Sequence, residues 1–153
     1  MERVEGSFRF ELPEPSAIEI RLAEALAERL DAVVPSGFRV RAYQGLVCLY
    51  HGSEFHGCNG VVGVLEHNSD VIARSVARAA VAVLSGTQDE VAHVTKDPWP
   101  RLPQGGMAMP GVRLNGDQVL LWYGPQHDSE IEAVISLSPI DLEALVRQRE
   151  AGT

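Results

Sequence analysis

The chain of 153 residues carries a net charge of −8, with 45% hydrophobic and 22% charged residues, the profile of one globular domain able to bury a real core. That acidity repels phosphate backbones and anionic lipid, and no basic run offsets it, so nucleic acid is not expected as a partner. No apolar run, Val61–Leu65 included, is long enough to span a bilayer.

Met1–Phe10 contains Glu2, Arg3, Glu5 and Arg9 and no apolar signal core. Cys48 and Cys58, the two cysteines, lack a second pair for a zinc site or a secreted disulfide framework, so both are expected unpaired and the protein cytoplasmic. Lys96 is the sole lysine among thirteen basic residues. With abundant Ala, Val and Gly, that suits a GC-rich bacterial genome.

Residues 1–15 read as an extended lead-in holding Phe8 and Phe10 and ending at Pro13-Glu14-Pro15. Ser16, three residues before Glu19, opens a helix through a capping box. Ile18, Leu22, Leu26 and Leu30 recur every four residues as its apolar stripe, which reaches Val33 and Val34 before Pro35-Ser36-Gly37 stops it. Phe38, Val40 and Ala42 then alternate with Arg39, Arg41 and Tyr43 as a half-buried strand. Gln44-Gly45 is read as a tight turn and Leu46–His51 as the return strand. Gly52–Asn59 reads as a glycine-punctuated loop, and Gly60–Leu65 as a third strand, apolar enough to be central.

Ser69 or Asp70 caps a second helix, whose stripe of Ile72, Val76, Ala80, Val83, Thr87, Val91 and Val94 predicts one helix over 70–96 with a weak point at Ser85-Gly86. Asp97-Pro98-Trp99-Pro100 ends it, with Trp99 expected as a lid over the helix end. Residues 101–110 read as a loop. Asn115-Gly116, flanked by alternating Val112 and Leu114 and by Val119, Leu121 and Tyr123, is the strongest hairpin signal in the chain. Pro125–Ser129 is a turn. Ile131, Ala133, Ile135 and Leu137 alternate as a last strand, and Ser138-Pro139 opens a short helix with Leu142, Leu145 and Val146 on its apolar edge. Residues 151–153 form a loose tail.

The order α-β-β-β-α-β-β-β-α predicts a single α+β domain: a two-layer sandwich, with a largely antiparallel single sheet and the two main helices on one face. Val112, Leu114, Val119, Leu121, Ile131, Ala133 and Ile135 are expected beneath them. This order and the acidity resemble the type III secretion chaperone-like fold, whose small acidic members often dimerise. Asp97-Pro98-Trp99-Pro100 with Leu121-Trp122-Tyr123-Gly124 also resembles a group of small proteins of GC-rich bacteria to which no activity attaches. Neither resemblance carries a functional residue over.

No catalytic constellation stands out, and no cofactor or catalytic residue is expected. His51, Glu54, His56 and Cys58 are weak candidates for a metal, because their groups are zinc ligands but their spacing matches no established site. Folding without zinc is expected. A Cys58 nucleophile with His51 or His56 lacks an orienting third group. His127-Asp128-Ser129 is a turn rather than a triad, His67 and His93 are surface or boundary residues, and Gly105-Gly106 is no phosphate loop.

The pairing argument isolates one surface. Arg39, Arg41, Tyr43, Leu46, Cys48 and Tyr50 share the face opposite the aliphatic side of the first hairpin. Arg113, Gln118, Leu120 and Trp122 do so in the second, with Glu132 and Val134 beside them. Arginine and aromatics are interface residues, so Arg39, Arg41, Tyr43, Tyr50, Arg113, Leu120 and Trp122 are the expected partner-binding set. A non-enzymatic interaction or chaperone-like module, binding a protein partner or itself as a homodimer, is the reading this favours. A toxin-neutralising immunity protein is an alternative from acidity. A small metal-dependent or cysteine hydrolase using the 51–58 loop is another.

Overall fold

A computed structural model of the chain describes residues 14–61, 72–125 and 134–151, with side chains to Val146. The predicted positions Phe8, Phe10, Val62–Leu65, His67, Ser69, Asp70, His127-Asp128-Ser129, Ile131, Glu132 and Ala133 lie outside those residues, as do the lead-in up to Pro13 and the tail after Ala151.

Ser16 caps α1 (Ala17–Asp31) as expected. Its hydroxyl accepts from Glu19 N at 3.2 Å and the Glu19 carboxylate accepts from Ser16 N at 2.9 Å, so two otherwise orphaned amides are satisfied. Leu22, Leu26 and Leu30 are fully buried. The helix ends at Asp31, short of Val34, and the Asp31 carboxylate has a further role. It accepts the outward amide of Val40 at 2.9 Å and pairs with Arg41 at 3.1 Å, closing part of the open edge of β1.

The strands β1 (Phe38–Tyr43), β2 (Leu46–His51) and β3 (Glu54–Gly60) form one antiparallel sheet in that order. The first turn is Gln44-Gly45, both with positive φ. β3 corrects the predicted loop over 52–59: a turn at Gly52-Ser53 sends the chain straight back along β2. The hairpin then skips His56, pairing Tyr50 with Phe55 but Leu49 with Gly57. Such a bulge shifts everything beyond it by one place.

The long helix α2 (Ile72–Thr95) passes through Gly86 without a break. A Cβ there would overlap the Asn59 amide from β3, and one at Gly57 would lie 2.9 Å from Glu90 Oε2. Glycine at these two places lets β3 approach the helix closely. Gly86→Ala is expected to lower stability by about 1–2 kcal/mol, despite alanine's helix preference of roughly 1 kcal/mol. In an Asn59→Ala background the same change should become neutral or stabilising, which urea titration of the double-mutant cycle reads directly.

After α2, Trp99 lies against Tyr123 of β5 with ring centroids 5.3 Å apart and packs at the margin of the core. β4 (Pro110–Asn115), β5 (Gln118–Tyr123) and β6 (Ile135–Asp141) form a second antiparallel sheet. The predicted single sheet is thus two separate three-stranded sheets among the described residues. The hairpin register is the predicted one, with Val112 opposite Leu121 and Leu114 opposite Val119. Val119 and Leu121 are buried, while Val112, Leu114 and Ile135 are half-buried at the margin of the core. α2 packs against strands of both sheets. Two of its polar bonds reach deep: Tyr123 Oη donates to Leu84 O at 2.7 Å, and the buried Gln88 amide donates to Ala108 O.

The last helix, α3 (Leu142–Ala151), starts later than predicted. Ser138 and Pro139 belong to β6, and Asp141 is the capping residue, its Oδ1 accepting from Glu143 N at 3.0 Å. Pro139 is tolerated because β6 lies at the edge of its sheet. Arg29 on α1 donates to Ser138 O at 2.7 Å and to Pro139 O at 2.8 Å, and Arg21 donates to Leu145 O at 2.8 Å. These contacts pin the C-terminal elements to α1.

Candidate functional site

The expected unpaired cysteines require correction. Cys48 and Cys58 are opposite each other across β2 and β3, with Cα atoms 4.1 Å apart, and they form a disulfide. The bulge at His56 causes this, because without it Cys48 would face Gly57. By loop-closure entropy, a crosslink of this span contributes about 3 kcal/mol against the unfolded chain. The pairing also removes the support that free thiols gave to a cytoplasmic location.

Cys58 is therefore no free thiolate for a metal or a nucleophilic step. Of the other candidates, His51 packs on Phe38 with centroids 4.5 Å apart and lies 6.2 Å from the His56 ring. His56, the extra residue of the bulge, has its Nε2 buried without a hydrogen-bond partner, 3.6 Å from Glu54 Oε1. No group of three or more His, Cys, Asp or Glu side chains converges among the described residues. His93 is exposed on α2.

The expected partner-binding residues divide between the two sheets. On the first sheet, cross-strand pairing sets Arg39 beside Tyr50, Arg41 beside Cys48 and Tyr43 beside Leu46, all on the side away from α1. β3 adds Phe55 and Cys58 to that face, both from the segment predicted as a loop. Tyr43 is 64% exposed and Phe55 57% exposed. Phe55 stacks beside Tyr50 at 5.6 Å. Arg39 has neither a hydrogen bond nor an ion pair among the described residues, and no carboxylate points outward from β1, β2 or β3.

Arg113, Leu120 and Trp122 belong to the second sheet. Arg113 is exposed and Leu120 half-buried, but Trp122 is only 7% exposed. Its indole lies across Gly111 on the neighbouring strand and donates through Nε1 to Pro125 O at 3.2 Å. Trp122 thus packs within its own chain, on the outer side of the sheet, apart from the central core cluster. The single surface expected to unite Tyr43, Tyr50 and Trp122 becomes two separate faces.

No helix among the described residues is long and apolar enough to cross a membrane. Compared with models of protein families, with curated proteins and with solved structures, the chain matches none. The class defined by the fold is an α+β protein with, among the described residues, three helices and two antiparallel three-stranded sheets.

Proposed function

We propose that the protein is a non-enzymatic, chaperone-like or adaptor-like interaction module that docks a protein partner on the outer face of its first sheet. The observation that carries this reading is that Tyr43 and Phe55 are each more than half exposed on the same outer face, with Phe55 in one cross-strand row with Tyr50 and Arg39, and Tyr43 at the other end of β1. Large aromatics left open to water on a sheet are an association surface. Arginine with tyrosine is the composition of interface anchors.

Charge favours a partner other than a second copy. A two-fold pairing of this face would bring Arg39 of both copies onto one surface, where Asp31 is already paired with Arg41 and the strands present no further outward carboxylate, and like charges at an interface are costly. A partner presenting carboxylates to the β1 edge and apolar side chains to the aromatics meets both features.

Tyr43→Ala and Phe55→Ala remove exposed side chains, so each should change stability by no more than about 0.5 kcal/mol. Loss of a central aromatic anchor weakens association by about 2 kcal/mol, roughly thirtyfold. Calorimetry on the captured partner, beside thermal melts of both variants, tests the assignment. Unchanged affinity in both variants would overturn it.

A further inference from the structure

Cys48 and Cys58 are unequal partners in their disulfide. Cys48 is 4% exposed within β2, whereas Cys58 is open to solvent on the outer face. The strand that carries Cys58 is also weakly held. β1 buries Phe38 and Val40 and β2 buries Val47 and Leu49, but no residue of β3 is buried. Its inward positions are Gly57 and Asn59, which rest on α2 at Glu90 and Gly86. One edge ladder, the ring contacts of Phe55 with Tyr50 and His56 with His51, the close approach to α2 and the disulfide hold β3 in place.

We infer that Cys58 Sγ is a thiol-exchange site, and that reduction there converts β3 from a fixed to a locally opened strand while the rest of the domain stays folded. The co-reactant is a small cellular thiol. Its thiolate attacks Sγ of Cys58, the exposed residue of the pair. A new S–S bond forms to Cys58 as the Cys58–Cys48 bond breaks, and the electron pair leaves on Cys48 Sγ, which takes a proton from water. A second thiolate then attacks the sulfur of the bound thiol. This releases the oxidised small disulfide and leaves the Cys58 thiolate, which takes its own proton. Two thiols are oxidised and one protein disulfide is reduced, a two-electron exchange that an oxidant of the same class reverses.

Opening is local because segments with little buried surface open below the global unfolding free energy. Freed from its tether, β3 no longer holds Phe55 beside Tyr50, so the aromatic face changes with redox state. That consequence rests on the docking reading; the exchange itself does not.

The test uses wild-type protein without denaturant, exposed to glutathione at about 5 mM, then acid-quenched for peptide mass spectrometry and hydrogen exchange. The expected adduct is glutathione on Cys58, not on Cys48. In the reduced protein the amides of 54–60 should exchange at least about tenfold faster, with those of β5 unchanged. Cys48→Ser/Cys58→Ser should reproduce the reduced pattern. A bond resistant until denaturant is added, an adduct on Cys48, unaltered exchange in β3, or faster exchange in β5 as well would each overturn the inference. So would thiols found free in air-equilibrated protein, or a globally unfolded double serine variant. None of these readouts needs the partner, so loss of the docking reading and loss of this one are distinguishable.

Discussion

Gly111→Ala is expected to destabilise the protein by about 3 kcal/mol, although alanine is ordinarily harmless in an edge strand. The cause is Trp122. Its indole occupies the space directly over Gly111, and a Cβ there would overlap Cε2, Cζ2 and Nε1. The ring is rigid and buried, so it must swing out, giving up its apolar contacts and its bond to Pro125 O. Trp122→Ala, which empties the site instead of overfilling it, should cost about 3–5 kcal/mol. The two changes share one contact and will not add. With Trp122 already removed, Gly111→Ala should have little further effect, because nothing remains for the new methyl to strike. A denaturant-unfolding cycle measures this, and a fully additive cycle would contradict the packing described.

Tyr123 gives the second large effect. It is fully buried between α2 and Trp99, with its hydroxyl on Leu84 O. Tyr123→Ala should cost about 3–5 kcal/mol, and Tyr123→Phe about 1 kcal/mol for the lost hydrogen bond. Burial pushes the phenol pKa far above its ordinary value, with the Asp89 charge adding in the same direction. Its folded pKa therefore exceeds its unfolded one. The stabilisation is complete below about pH 10 and is lost above it, as the unfolded chain releases a proton that the folded protein keeps. The slope is about 1.4 kcal/mol per pH unit. Chemical denaturation of wild type between pH 9 and 11 (about the span of the unfolded phenol titration) should show that decline, and Tyr123→Phe should show less of it.

Local rules made much of this fold readable. Ser16 and Glu19 marked the start of α1, and the alternation around Asn115-Gly116 set the β4–β5 register that places Tyr123 inward and Trp122 outward. Both signals are short-range, so tertiary context had little to override. Two of the misplaced features, the Cys48–Cys58 pairing and the start of α3, come from β-bulges. Gly52-Ser53 is itself a readable turn, but simple pairing from it sets Cys48 against Gly57. Only the unpaired His56 brings Cys58 into line. Likewise, Leu121 faces Leu137 and Val119 faces Ile140, so Ser138 and Pro139 are absorbed as strand rather than opening a helix. A bulge is settled by packing on both sides of the sheet, and here that includes the approach of Asn59 to Gly86. Nothing in the local sequence marks it. Phe55 lies before the bulge and follows from the Gly52-Ser53 turn, which sets it opposite Tyr50, and the β4–β5 register sets Gly111 opposite Trp122. The folding of the indole over that glycine and its bond to Pro125 O depend on tertiary packing.

The central claim is that the outer face of the first sheet docks a protein. Quantitative affinity capture tests it most directly, with wild type, Tyr43→Ala/Phe55→Ala and Glu24→Ala, on the exposed side of α1, as parallel baits in a lysate of the source organism. At least one protein enriched by wild type should fall about tenfold or more with the double aromatic variant and stay unchanged with Glu24→Ala. Equal capture of every enriched protein by all three baits would contradict the claim.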